Sequence, residues 1–208
     1  MRIDSLKTTP DRVGRYWLTT DSGEKLALYR QTVEDFGLYS GKELTDEAWN
    51  ALLESAGKMS AKMRAVRIVS ASAVSKRDLE RRLVQKGEDP EAAQAAVQWM
   101  TDMDLLDDRK TAEQVVSNCV RKGYGLARAK QALYEKQIPK HLWEDVLSDY
   151  PEQDTYIRNY LCAHLDGDAD QKQIKKAVDA LIRRGHSYGS IRRQLDRLSF
   201  ETQESWED

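Results

Sequence analysis

The chain has 208 residues, 40% of them hydrophobic and 33% charged, with a mean hydropathy of −0.73. That supplies a core under a large wetted surface, and with only two Phe it suits small helical units better than one thick sandwich. The 33 basic and 35 acidic residues leave a formal net charge of −2, which excludes a general polycation, so any attraction to nucleic acid must come from the distribution of charge. The opening MRIDSLKTTPDR lacks the apolar centre of a signal peptide, and no run of about 18 apolar residues offers a membrane span. The expectation is a cytoplasmic chain whose Cys119 and Cys162 are buried, reduced thiols. His141, His164 and His186 are scattered without ligand spacing, so no metal or other cofactor is expected.

In chain order, RYWLTTDSGEKLALYR alternates. Tyr16, Leu18 and Thr20 share one face, as do Leu26, Leu28 and Arg30, with Asp21-Ser22-Gly23 between them, which predicts a β-hairpin. Thr32 is a cap candidate for a short turn through VEDFG that Gly37 ends. Thr45, followed by Asp46 and Glu47, starts a helix with Trp49, Leu52 and Leu53 as its stripe and Gly57 as its stop. Beyond Met59 the signals are helical. Met59, Met63, Val66, Val69 and Ala73 make one helical face. Ser75 with Asp78 starts a helix carrying Leu79 and Leu83, Gly87 closes it, and Asp89-Pro90 opens the next, with Ala93, Val97 and Met100. The pattern restarts at Asp107 or Asp108, runs through Ala112, Val115, Cys119 and Val120 to Gly123, continues with Ala129 and Leu133, and breaks at Ile138-Pro139 before Leu142 and Val146. A third restart covers Tyr156 to Leu161, then Ile174, Val178, Leu181 and Ile182, stops at Gly185, and resumes after Ser187 with Ile191 and Leu195. The acidic tail SFETQESWED is expected to fray.

Two stretches resemble each other: VRKGYGLARAKQAL from Val120 and IRRGHSYGSIRRQL from Ile182. Aligned on their last Leu, Leu83, Leu133 and Leu195 coincide, with Leu79, Ala129 and Ile191 one turn earlier and Ser75, Gly125 and Ser187 where each helix should begin. This is a threefold repeat of small helical units, each too small to bury its apolar face alone, so neighbours must stack. GYG at Gly123 to Gly125 has neither a preceding strand nor the Lys-Ser/Thr of a phosphate loop and reads as a helix stop and turn.

The apolar skeleton is common to all three units, but much of the positive charge is shared by only two. Arg121-Lys122 matches Arg183-Arg184, where the first unit has Ala71-Ser72, and Lys130 matches Arg192, where it has Glu80. Arg81 matches Arg193. Lys and Arg near helix carboxyl ends suit the helix dipole, which is one account of the pairs. The other is a positive stripe facing phosphates or an acidic protein surface, with Tyr124 and Tyr188 nearby as stacking or packing residues. The carboxylates Glu80, Asp102, Asp104, Asp107 and Asp108 gather around no nucleophile, so no catalysis is expected.

SKRDLERRLVQKG, LLDDRKTAEQVVSNCVRKGYGLARAKQALYEKQI and ALIRRGHSYGSIRRQL, in this order and spacing, resemble the RecX regulatory proteins, bacterial modulators of the RecA recombinase. The hairpin followed by FGLYSGKEL is similar to a segment of longer members. Thr111 before Ala112, where members usually carry an aromatic, and DMDL before the second unit depart from the family pattern. The resemblance implies a mostly α fold of tandem three-helix repeats in an elongated curved array behind a small N-terminal β-hairpin segment. The expected divisions are 1–58, 59–106, 107–150 and 151–208. It also implies a non-enzymatic monomer that binds RecA filaments on single-stranded DNA, restrains ATPase and strand exchange in recombination, DNA repair and the SOS response, and has single- or double-stranded DNA as a further partner, with no cofactor and no membrane. Carried onto this chain, the contact surface comprises Arg81, Arg121, Lys122, Arg128, Lys130, Arg183, Arg184, Arg192 and Arg193. A helical-repeat protein that binds DNA directly, without a recombinase, is the alternative, and a scaffold for another protein partner is a further one.

Overall fold

The computed structural model describes residues 1–9, 14–166 and 169–204. It is mostly helical, with a small three-stranded antiparallel sheet near the amino terminus. The chain divides into two units, 1–107 and 108–208.

In the first unit, β1 (Ile3–Thr8), β2 (Arg15–Thr20) and β3 (Lys25–Tyr29) lie in sequence order. The expected hairpin is β2–β3, with Tyr16 opposite Leu28 and Leu18 opposite Leu26. β1 was not legible in the sequence. Its pairing with β2 shifts register between Ile3 and Ser5, which breaks the alternation that would have announced it. Ile3, Leu18 and Leu28 pack with Trp49, Leu52 and Ala56 of a helix, so the sheet is seated on that helix.

Helix α1 (Arg30–Asp35) follows β3 directly with Tyr29 at its cap position, and Thr32 lies buried inside it rather than capping it. Helix α2 (Asp46–Ala71) is capped by Thr45, whose hydroxyl accepts the Ala48 N–H at 3.2 Å. Gly57 does not stop it. A glycine inside a helix costs about 1 kcal/mol relative to Ala. Burial on both sides outweighs this: Leu52 and Ala56 enter the sheet core, while Ala61 and Ala65 enter the next core. The helix therefore crosses the division expected at residue 58. Its buried face also differs from the expected one, since Met63 is exposed, Ala61 and Ala65 point inward, and the helix ends before Ala73. Helix α4 (Pro90–Asp102) meets α2 with Ala92, Ala93 and Ala96, and small side chains on both helices let them pack closely.

Helix α3 (Lys76–Gln85) starts at Ser75, whose Oγ accepts the Asp78 N–H, and α4 starts at Asp89, whose carboxylate accepts from Glu91 and Ala92. Asp78 is itself buried. Its oxygens meet the guanidiniums of Arg81 at 2.5 Å and Arg82 at 2.9 Å.

The second unit holds α5 (Asp108–Arg121), α6 (Leu126–Glu135), a 3-10 turn (Lys140–Leu142), α7 (Trp143–Leu147), α8 (Asp154–His164), α9 (Gln171–Arg183) and α10 (Tyr188–Glu204). The third helix expected after Ile138-Pro139 is thus only a turn and five residues, anchored where the Trp143 indole donates to the Ile138 carbonyl. Asp170 and Gln173 form a capping box on α9 that the sequence reading missed. Ser187 accepts the Ser190 N–H as expected. α10 runs on to Glu204, beyond where fraying was expected, and 205–208 of that tail lie outside the described residues.

The repeat is real at atomic level. Four residues after each cap position stand Leu79, Ala129 and Ile191, all fully buried, and eight after stand buried Leu83 and Leu133 and half-buried Leu195. Each fully buried Leu contributes roughly 1.5–3 kcal/mol.

An added Cβ at Gly57 meets nothing within 4 Å. Gly57→Ala is expected to raise stability by about 0.5–1 kcal/mol, read as a higher urea midpoint. A lower midpoint would contradict a continuous α2.

Candidate functional site

The second and third repeats meet along a seam made by the two glycine turns. Gly125 occupies the cap position of α6 and has no side chain to accept the helix's first N–H groups. The end of α9 supplies carbonyls instead: Gly125 N–H donates to the Arg184 carbonyl at 3.0 Å, and Ala127 N–H donates to the Gly185 carbonyl at 3.2 Å. The free amides of one helix end are thereby satisfied by the carbonyls of another. The approach leaves no room for side chains. A Cβ on Gly125 would strike the Gly185 carbonyl, and one on Gly185, whose φ is +88°, would meet Arg128 Cβ at 2.6 Å. At Gly123 the Tyr156 ring fills the space a Cβ would need. Tyr150 closes the same region, its hydroxyl donating to the Tyr124 carbonyl at 2.6 Å. Burial, with a smaller contribution from Cys119, pushes the Tyr150 phenol up to about 12, so it stays a donor at physiological pH.

His186 lies in this seam, 7% exposed and stacked on Tyr156 with ring centroids 5.7 Å apart. Its Nε2 has no hydrogen-bond partner among the described residues. Burial lowers its pKa from the usual 6.5, and the nearby Arg184 charge adds to this, against a hydrogen bond to the Gly123 backbone that raises it.

Along this seam the basic residues separate by partner. Arg128, Arg183 and Arg184 line one cleft of 380 Å³ with Tyr124, Tyr160 and Ala180. Within it Arg128 donates to Glu135 at 2.9 Å, and this bond raises the guanidinium pKa and lowers that of Glu135. Arg184 bonds the Tyr156 hydroxyl and lies over the rings of Tyr156 and Tyr160, at 5.5 and 5.6 Å from their centroids. Arg183 is exposed and has no acidic partner among the described residues. The same holds for Lys122 and Lys130 on the second repeat. Arg121 turns back onto Asn118 at 2.8 Å. On α10, Arg192 pairs with Asp196 at 2.9 Å and Arg193 with Glu152 at 3.4 Å. Such exposed pairs are worth little in stability, but they blunt the two arginines as a phosphate-facing pair. Arg81 belongs to the first unit, where it serves buried Asp78.

One further expectation changes, for Cys162. Tyr188, a stacking or packing candidate in the sequence, is 60% exposed. Cys162 is an exposed free thiol, while Cys119 is buried as expected and burial raises its pKa. Tyr156, Tyr160 and His164, which the sequence did not mark as a group, form a stacked ladder on α8. Their spacing of four residues was the signal that could have found them.

Two outcomes follow from the seam. Gly125→Ala is expected to cost about 1–3 kcal/mol through overpacking, measured by chemical denaturation of the intact chain. A neutral result would contradict the close approach. His186 is neutral in the fold and titrates more readily when unfolded, so its contribution is complete above pH 6.5 and is lost as pH falls from there toward its depressed folded value. Thermal melts across that range should show the loss, and His186→Phe should remove this component.

Comparison with known proteins follows the same layout. The profile of the second three-helix domain of RecX matches residues 107–147. The chain is 26% identical over 204 residues to the regulatory protein RecX of Clostridioides difficile strain 630, covering 95% of this chain and 94% of that protein. It is 33% identical over 121 residues to regulatory protein RecX of Xanthomonas axonopodis pv. citri strain 306, covering 57% of this chain and 75% of that one. A crystal structure of a regulatory protein RecX superposes with a TM-score of 0.63 at 18% identity, over 94% of this chain and 98% of that one. That of RecX from Lactobacillus salivarius gives 0.59 at 20% identity, over 70% and 99%; both show the fold. Among the described residues no helix is long and apolar enough to cross a membrane. On the sequence matches, with the repeated three-helix architecture behind them, the chain belongs to the RecX family of regulatory proteins.

Proposed function

We propose that this chain is a non-enzymatic regulator of a RecA-type recombinase, binding the recombinase filament on single-stranded DNA and restraining its ATPase and strand exchange. The observation that carries this reading is membership of the RecX family, with a relative matched along nearly its whole length. In this reading the repeats 59–106, 107–150 and 151–208 are the docking units, and the chain acts as a cytoplasmic monomer in recombinational repair and the SOS response. The mechanism is occupancy. A chain that binds one filament geometry better than another shifts the filament toward it, by no more than the difference in affinity. Cations without acidic partners speed encounter and set orientation. On this chain Lys122, Lys130 and Arg183 fit that role better than Arg192 and Arg193, which carboxylates already hold.

The test is recombinase ATPase on single-stranded DNA with this chain titrated in. Inhibition saturating near stoichiometric ratios is expected, and no effect at excess would overturn the reading. The triple change Lys122→Glu, Lys130→Glu and Arg183→Glu should weaken inhibition about tenfold or more, whereas Arg192→Glu with Arg193→Glu should change it less. Direct DNA binding without recombinase is the second reading, favoured by the three arginines and two tyrosines of the seam cleft. A salt titration on naked DNA reads it separately.

A further inference from the structure

We propose that the free edge of β3 takes up an extended strand of another polypeptide, one whose outward face carries an apolar residue with a carboxylate on either side. The strand site lies in the first unit and is independent of the recombinase reading.

The sheet has two edges, and one of them is closed. On β1, Ile3 N–H donates to the Lys42 carbonyl at 2.9 Å, Gly41 N–H to the Ile3 carbonyl at 2.8 Å, and Leu6 N–H to the Ser40 hydroxyl at 3.1 Å. β3 has no such cover among the described residues. Its pairing with β2 begins where Thr20 N–H donates to the Glu24 carbonyl and ends where Arg30 N–H donates to the Gly14 carbonyl. In an antiparallel ladder bonded and unbonded residues alternate. Leu26 and Leu28 therefore bond β2, while the N–H and C=O groups of Lys25 and Ala27, and the N–H of Tyr29, point away from it. None of these groups has a partner among the described residues. Such a row is a template for one more strand.

The outward face beside this edge selects the strand. Lys7, Trp17 and Ala27 stand in one cross-strand row, with Arg15 and Tyr29 in the row on one side and Thr19 and Lys25 in the row on the other. Trp17 is 48% exposed, and the small Ala27 between it and the edge leaves its flank open to an incoming side chain. Arg15 lies over the Tyr29 ring, 4.4 Å from its centroid. Lys7, Arg15 and Lys25 have no acidic partner among the described residues. A strand antiparallel to β3 and centred on Ala27 thus sets its apolar side chain toward Trp17 and its carboxylates beside Lys25 and Arg15, since directly opposed side chains lie about 4.5–5.5 Å apart. Nucleic acid has no alternating amides to answer this edge. A second copy pairing its own β3 in that register would set Lys25 against Tyr29 with Arg15 on it, cation beside cation, which guards the edge against self-pairing.

The experiment is fluorescence anisotropy of the labelled heptapeptide Thr-Glu-Val-Leu-Val-Glu-Thr titrated with the intact chain. Saturable binding is expected. Replacing both Glu by Lys, or making Lys25→Glu in the protein, should weaken it about tenfold or more. Ala27→Pro should abolish it, because that change removes an edge N–H and leaves the ladder to β2 intact; hydrogen exchange at Leu18 and Leu28 checks that the sheet persists. Two methylated peptides leave the protein itself unaltered. Methylating the Leu amide, which faces Ala27, should cost about tenfold, and methylating a Val amide, which faces away, should cost far less. The proposal is overturned if the heptapeptide does not bind, if the two methylated forms bind alike, or if oligothymidylate displaces the peptide at matched salt. It is equally overturned if the parent chain sediments as a dimer that Ala27→Pro separates. Recombinase ATPase with the parent chain judges the other reading, so either can fail while the other stands.

Discussion

The second half of the molecule depends on a hydrogen-bond exchange between two helix ends. α6 begins at a glycine that cannot cap it, and α9 ends with carbonyls that need donors. The Arg184 and Gly185 carbonyls accept from Gly125 and Ala127, so each end meets the need of the other. Each such backbone group, buried without a partner, would cost about 1–3 kcal/mol. This contact explains why α6 does without the side-chain cap that Ser75 gives the first repeat and Ser187 the third. It also places the Arg128 backbone against Gly185 and the Tyr156 ring against Gly123. The cleft with its three arginines is a by-product of that docking.

The basic pairs in the sequence therefore separate into differently placed residues. The carbonyl of Arg184 is structural, and its guanidinium is held over two tyrosine rings. Arg183, its neighbour, is exposed and open to a partner. Adjacent residues at a helix end point in different directions, so a pair that reads as one feature divides into a residue held by the fold and one left exposed. The same division separates Arg121, turned onto Asn118, from Lys122. Of the nine cations picked from the sequence, the ones held by carboxylates are less available to phosphates than the ones without such partners.

Periodicity revealed much of the helical order, because the spacing of Leu79 and Leu83, or of Ala129 and Leu133, is a local property of a helix. Caps at Thr45, Ser75, Asp89 and Ser187 were legible for the same reason, since a cap acts within three residues. Gly57 misled because its cost is small and local, while the burial that overrides it comes from a sheet core on one side and a helical core on the other. Met63 misled because hydrophobicity does not say which face a neighbour will cover, and the close approach of α4 selected the alanines. β1 was hidden by its register shift.

Sequence alone determined that this chain is a set of small helical repeats with near-neutral total charge and a family likeness carried by the order of its turns. These follow from short-range chemistry: helical spacing, caps, and glycines that end helices. Only the tertiary structure decided that Arg193 meets Glu152 and Arg184 meets Tyr156, that the α8 rings stand beside α9, and that His186 is enclosed in the seam. These contacts join residues distant in the chain, and side-chain spacing along one helix carries no record of them, whereas it does carry local pairs such as Arg192 with Asp196.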